Sequence, residues 1–166
     1  MINREMLDSM LNNIPNDKNI IFVGIGTDRV IFDMVGCLSC SLLREKGYTA
    51  YGTIDKPIHA LNLDEIIGHI NEKHSNDIII GIDSAIGKSV GECKFQLTPI
   101  RPGRGFGKDL KDVGIFSIIG VVGKNHLDRN MRDMRFNDVY NICKNIVDTI
   151  EEYYRVRSVE KCIQIK

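Results

Sequence analysis

Two aspartates stand where a pair of acids could do chemistry. Asp83 closes the apolar run DIIIGID, residues 77–83, and Asp33 ends the segment GIGTDRVIFD, residues 24–33. If each apolar run is a strand, Asp83 projects at the carboxyl edge of a sheet, and Asp33 lies in the first turn or so of the helix after the preceding strand. Should those strands be neighbours, the carboxylates meet in one crevice. Close carboxylates resist double ionisation, so one pKa rises and the pair shares a proton. One acid then acts as base toward water while the other protonates or polarises a carbonyl. The same pair with a third ligand could instead hold a divalent metal, but the residues assign no third ligand, so no metal and no cofactor is expected. The competing structural account is plain: acids are favoured at helix N-termini, and an Asp at a strand end often caps a turn.

Other motifs nearly match a chemistry and then depart from it. GIGTDR has Arg29 where a dinucleotide fingerprint needs its third glycine. GIDSAIGKS, residues 81–89, encloses five residues between its glycines where a phosphate loop has four, and a strand rather than a helix is expected after it. Cys37 and Cys40 spell C-x-x-C inside a predicted helix, away from the N-terminus that would activate a thiol, so they read as packing residues. The loop GRGFGK is richer. Gly103, Gly105 and Gly107 free backbone amides to turn inward, while Arg101, Arg104 and Lys108 supply charge for a carboxylate, a phosphate or an extended peptide. Thr27, Asp28 and Arg29 complete the candidate binding residues, although Asp28 and Arg29 could simply pair with each other or cap the helix. The four histidines, His59, His69, His74 and His126, show no metal-site spacing.

Strands alternating with helices must position these residues. Residues 2–12 carry apolar side chains at helical spacing, and the run IIFVGI, residues 20–25, fits a strand buried on both faces. Ile31, Val35, Leu38 and Leu42 mark a helix that Gly47 would end. A weaker strand is expected over 48–53 and a helix after Asn62, where Asn62 and Glu65 resemble a capping box. Strands are then expected over 77–83, 92–97 and 115–123. Val139 through Tyr154 hold one apolar helical face over about four turns. This alternation implies a mainly parallel sheet covered by helices on both faces, with its ligand crevice beyond the carboxyl ends of the strands.

With 166 residues, 43% of them hydrophobic, the chain is long enough for one buried core, and residues 1–166 are expected to form a single α/β domain. The 22 basic and 22 acidic residues cancel, which argues against nucleic acid or an anionic membrane as partner. No apolar stretch reaches the roughly 18–20 residues that span a bilayer, and the N-terminal segment is too polar for a secretion signal. A cytoplasmic setting is therefore expected, and the odd count of five cysteines fits reduced thiols.

Four motifs occur in order between about residues 19 and 123: GIGTDRVIFD, AYGTIDKPIHALNL, IIIGIDSAIGKSVG and TPIRPGRGFGKDLKDVG. Together they resemble the YyaC family of sporulation proteins, itself distantly similar to the spore germination protease and to hydrogenase maturation proteases. The resemblance implies a three-layer α/β/α sandwich with a central, mainly parallel sheet, of the phosphorylase/hydrolase-like, germination-protease-like kind. It also implies an aspartic-type peptidase dyad at Asp33 and Asp83, acting in the forespore or the mother cell. Hydrogenase maturation proteases add a metal-binding histidine to similar acids; His59 sits in the family's P-x-H-A motif but is not matched to it. The family's small residue before Asp33 is Phe32 here. The expectation is a sporulation-associated hydrolase that cleaves a peptide or protein substrate, with Arg29 and the GRGFGK loop positioning the chain. A peptide- or anion-binding regulator without turnover, a small-molecule hydrolase, and self-association all stay open.

Overall fold

The isoleucine-rich runs lie side by side at the centre of one sheet. The computed structural model describes residues 1–103, 107, 109–125 and 133–164. In chain order its elements are α1 (Arg4–Asn13), β1 (Ile20–Gly24), a 3-10 turn (Ile31–Asp33), α2 (Val35–Glu45), β2 (Ala50–Tyr51), α3 (Leu63–Lys73), β3 (Ile78–Ile86), β4 (Cys93–Gln96), β5 (Phe116–Gly123) and α4 (Phe136–Gln164). The strand order is β2-β1-β3-β5-β4. All neighbours run parallel except β4, which lies antiparallel on β5.

Both faces of the sheet are covered, which explains why β1 reads as an unbroken apolar run. Its alternate residues serve two cores. Ile20 and Phe22 pack with α1, α2 and α4 through Met10, Leu38 and Ile146. Ile21 and Val23 pack on the other face with Leu63, Ile67 and Ile70 of α3 and with Ile100 and Val113. The α/β/α layering expected from the sequence is thus the observed one. No helix among the described residues is long and apolar enough to cross a membrane.

Several local expectations are corrected. The helix after β1 begins at Val35, not near Ile31, because a separate 3-10 turn holds Ile31–Asp33 first. The second strand is only Ala50–Tyr51, since Gly52 turns away with a φ of 69°. Asn62 makes no side-chain cap on α3. Its carboxamide is spent on the preceding loop, accepting from the His59 amide at 2.9 Å and donating to the Pro57 carbonyl at 3.1 Å. Asp83 does not end its strand: β3 runs on to Ile86 because β5 pairs with it that far.

Candidate active site

The sheet order fixes where a site can form. The chain leaves β1 for β2 on one side and returns to β3 on the other, so the connections part between β1 and β3. That is the position where open α/β sheets leave a crevice beyond the strand ends. β1 stops at Gly24, opposite Ile82. The last rung is Ile25 N–H to the Ile82 carbonyl, at 2.8 Å, and the next amide, Gly26 N–H, turns instead to the Ile58 carbonyl at 2.9 Å. A cleft of about 720 Å³ opens in the fork, and its walls include Phe32, Asp33, His59, Asp83, Leu110 and Val122.

Two glycines make the fork possible. Gly26 has a φ of 117°, and a Cβ there would stand 2.0 Å from the Asp33 carbonyl oxygen. A Cβ on Gly36 would stand 2.2 Å from the Ile25 oxygen and 2.5 Å from that of Ile82, so α2 lies directly on the strand ends. No helix starts within GIGTDR, and GIDSAIGKS runs along β3 into a bend and then to β4. Neither segment presents the helix N-terminus that a nucleotide phosphate would need.

Each aspartate is held by one oxygen and leaves the other available. Thr27 N–H donates to Asp33 Oδ2 at 3.0 Å, and Ser84 N–H donates to Asp83 Oδ1 at 2.7 Å. Strand alternation places Asp83 on the face of Ile79 and Gly81, the side that α3 covers. Both carboxyls are half-buried among apolar walls. Burial pushes Asp83 up to about 8 against the pull of the Ser84 amide, and the negative charge of Asp33 adds to the rise. Burial also raises Asp33, opposed by the Thr27 amide and by His59. The two acids thus differ in environment, as a proton donor and a proton acceptor must.

His59 is the cleft residue that sequence spacing did not single out. It stands in the loop that Asn62 ties down, and its Nδ1 accepts from the Leu61 amide at 3.3 Å. In the neutral ring that bond leaves the proton on Nε2. The signal was present in the P-x-H-A motif, but only the Gly26–Ile58 contact brings that loop to β1. Among the described residues no three His, Cys, Asp and Glu side chains converge as a metal cage, and Asp33, His59 and Asp83 do not form one.

The remaining sequence candidates divide by position. Thr27 acts on Asp33 through its amide rather than lining the cleft. Asp28 and Arg29 are exposed on the turn outside the wall and do not pair with each other; the Arg29 amide donates to Thr27 Oγ1 at 3.2 Å. Gly103 lines the cleft, whereas Arg101 is engaged on the surface by Asp112 at 3.8 Å. Gly107 is exposed with a φ of 67°. Arg104, Gly105 and Lys108 lie outside the described residues, as does His126. Cys37 falls in the first turn of α2, nearer the N-terminus than its sequence pattern predicts. Burial nevertheless pushes its thiol up to about 12, with the charges of Asp28 and Asp33 adding, so it is inert packing.

The fold has counterparts among solved structures. Among solved structures, the [NiFe] hydrogenase maturation protease HycI from Thermococcus kodakarensis KOD1 superposes with a TM-score of 0.53 over 86% of this chain and 99% of that one, at 16% identity. HybD, a [NiFe] hydrogenase maturation protease from Thermococcus kodakarensis, gives 0.50 over 81% and 97%, at 14% identity. At such identities the likeness is one of fold. The chain itself belongs to the family described as "Protein of unknown function (DUF1256)", whose profile matches residues 1–149. It is 39% identical over 110 residues to the "Uncharacterized protein YyaC" of Bacillus subtilis (strain 168), a match covering 63% of this chain and 54% of that protein. The chain therefore spans about half the length of the curated relative it matches.

Proposed function

We propose that the protein is a peptidase-like hydrolase in which Asp33 and Asp83 activate water across the β1–β3 cleft. The observation that carries this is the pair of differently held carboxyls in one half-buried cleft, one of them raised to about 8. The protease-like fold supports it, as does the cleft's place at the topological switch. Because Asp83 Oδ1 accepts the Ser84 amide, the proton of the neutral acid resides on Oδ2. Because Asp33 Oδ2 accepts the Thr27 amide, Oδ1 is the free base.

In the first step water attacks the amide carbon, its proton passes to Asp33 Oδ1, and Asp83 Oδ2 protonates the carbonyl oxygen. In the second, Asp33 returns its proton to the leaving nitrogen as the C–N bond breaks, and Asp83 retakes one from the diol. Both acids end as they began. His59, with Nε2–H available, adds a donor toward the developing oxygen charge. The setting that goes with this reading is sporulation, in the cytoplasm of the forespore or the mother cell, as the motif resemblance implies.

Digestion of a peptide library tests the proposal. The parent protein cleaves, whereas Asp33→Asn and Asp83→Asn, folded by circular dichroism, lose activity by about 10²-fold or more. The second reading, a peptide-binding regulator, draws on Phe32, an aromatic ring on the cleft wall beside Asp33. It gains if the parent retains peptides without cutting them.

A further inference from the structure

The end of β3 presents an edge that no strand among the described residues uses. In β3 the peptide groups of alternate residues face opposite neighbours. The Ile82 carbonyl faces β1, where it accepts from Ile25, and Gly87 N–H faces β5, where it donates to Gly123 at 2.8 Å. The Ser84 carbonyl and the Ile86 amide therefore share the edge of Ile82. β1 has already ended there, while β5 still pairs with the other side of β3 as far as Ile86. No described strand covers residues 83–86 on the β1 side. The first amide on this bare edge, Ser84 N–H, is occupied by the Asp83 carboxyl itself, so the edge begins at the reacting acid. Bare strand edges are usually paired or protected, and this one instead lines the cleft between apolar walls that include Phe32, Leu63, Leu110 and Val122.

We propose that the occupant of the cleft is an extended, apolar peptide segment that adds to β3 as a strand. One of its amides donates to the Ser84 carbonyl, and the Ile86 amide is accepted by the carbonyl of the same residue if the segment runs parallel to β3, or of the residue two positions before it if antiparallel. Main-chain bonds of this kind supply affinity in strand addition, and pockets for alternate side chains supply selectivity. The pairing carries the neighbouring peptide bond to Asp83, whose carboxyl sits at the first rung. Here the apolar walls select uncharged side chains. The inference rests on the hydrolase reading for its purpose, though not for its geometry.

The probe is a library of capped octapeptides, passed over immobilised full-length Asp83→Asn protein. Retained sequences are then resynthesised with a single N-methyl group at each position in turn. Strand addition predicts an alternating pattern, in which every second methyl weakens binding by about tenfold or more while the intervening ones are tolerated. Exchange of the Ile86 amide should slow at least about tenfold when a retained peptide is bound. Retention of no peptide, uniform tolerance of N-methylation, or unchanged Ile86 exchange overturns the proposal. The two readings fail separately. Alternation without cleavage by the parent keeps strand addition and removes the peptidase; cleavage by the parent without alternation does the reverse.

Discussion

A carboxyl that stays protonated near neutral pH links activity to stability through one group. Folded Asp83 titrates near 8 against an ordinary value of 3.8, so between those limits the folded chain binds more protons than the unfolded one. Stability contributed at this position is therefore full at low pH and falls as pH rises toward 8, the reverse of a salt-bridged aspartate. Asp33 is raised as well and acts in the same direction. Asp83→Asn removes the penalty. Urea unfolding across pH 5–9 should show the variant gaining on the parent toward pH 9, by roughly 1–2 kcal/mol once screening on the cleft side is allowed for. Phe32→Ala should cost about 1–2 kcal/mol, because the ring is half-buried against the core, and should change KM more than kcat by widening the cleft. Thermal unfolding and steady-state kinetics separate the two effects. At this scale the meeting of Asp33 and Asp83 on one cleft was legible, because an Asp ending an apolar run is unusual enough to locate. His59 was not, because its relation to Asp33 depends on a hydrogen bond between Gly26 and Ile58, thirty-two positions apart.

Elements hold these residues through close backbone contact more than through side-chain chemistry. Gly36 lets α2 rest on the carbonyls of Ile25 and Ile82, the rung where the cleft opens. Gly36→Ala places a methyl group within 2.5 Å of both oxygens and should cost about 3 kcal/mol or more, with loss of activity, in thermal unfolding and assay. Gly47 is the control: its φ is 89° with open space around it, so an alanine there pays only backbone strain, about 1 kcal/mol. At the β4 edge of the sheet, Asn3 caps α1 by accepting from the Met6 amide at 3.0 Å. Its Nδ2 also reaches the Cys93 carbonyl of β4 at 2.7 Å, and its own amide reaches Thr149 of α4 at 2.9 Å. Asn3→Ala should cost about 1–3 kcal/mol by urea denaturation, the loss of a cap together with an inter-element bond. Element existence followed from apolar periodicity, which is a property of burial. Element ends did not: β3 outruns its apolar pattern because β5 continues to pair with it, and Asn62 leaves the helix cap for the His59 loop.

On the scale of the whole molecule, the cleft follows from the order in which strands enter the sheet. The chain steps from β1 outward to β2 and back across to β3, and the fork so made receives an acid from each side. Two cores on opposite faces of the sheet, one against α1, α2 and α4 and the other against α3, back the strands that form that fork. Alternating strands and helices made the layered fold legible, and the carboxyl-end rule pointed to the edge where the cleft opens. The β4 reversal was not legible, because Cys93–Gln96 carries no mark distinguishing antiparallel from parallel pairing. The proposed hydrolysis turns on Asp33 working as a base while Asp83 works as an acid. Its most direct test is the pH dependence of kcat/KM for a cleaved peptide. The predicted profile is a bell, with an acid limb from Asp33 above 3.8 and a basic limb near 8 from Asp83 that Asp83→Asn abolishes together with activity. A rate that stays flat or rises through pH 9, or persists in Asp83→Asn, would contradict it.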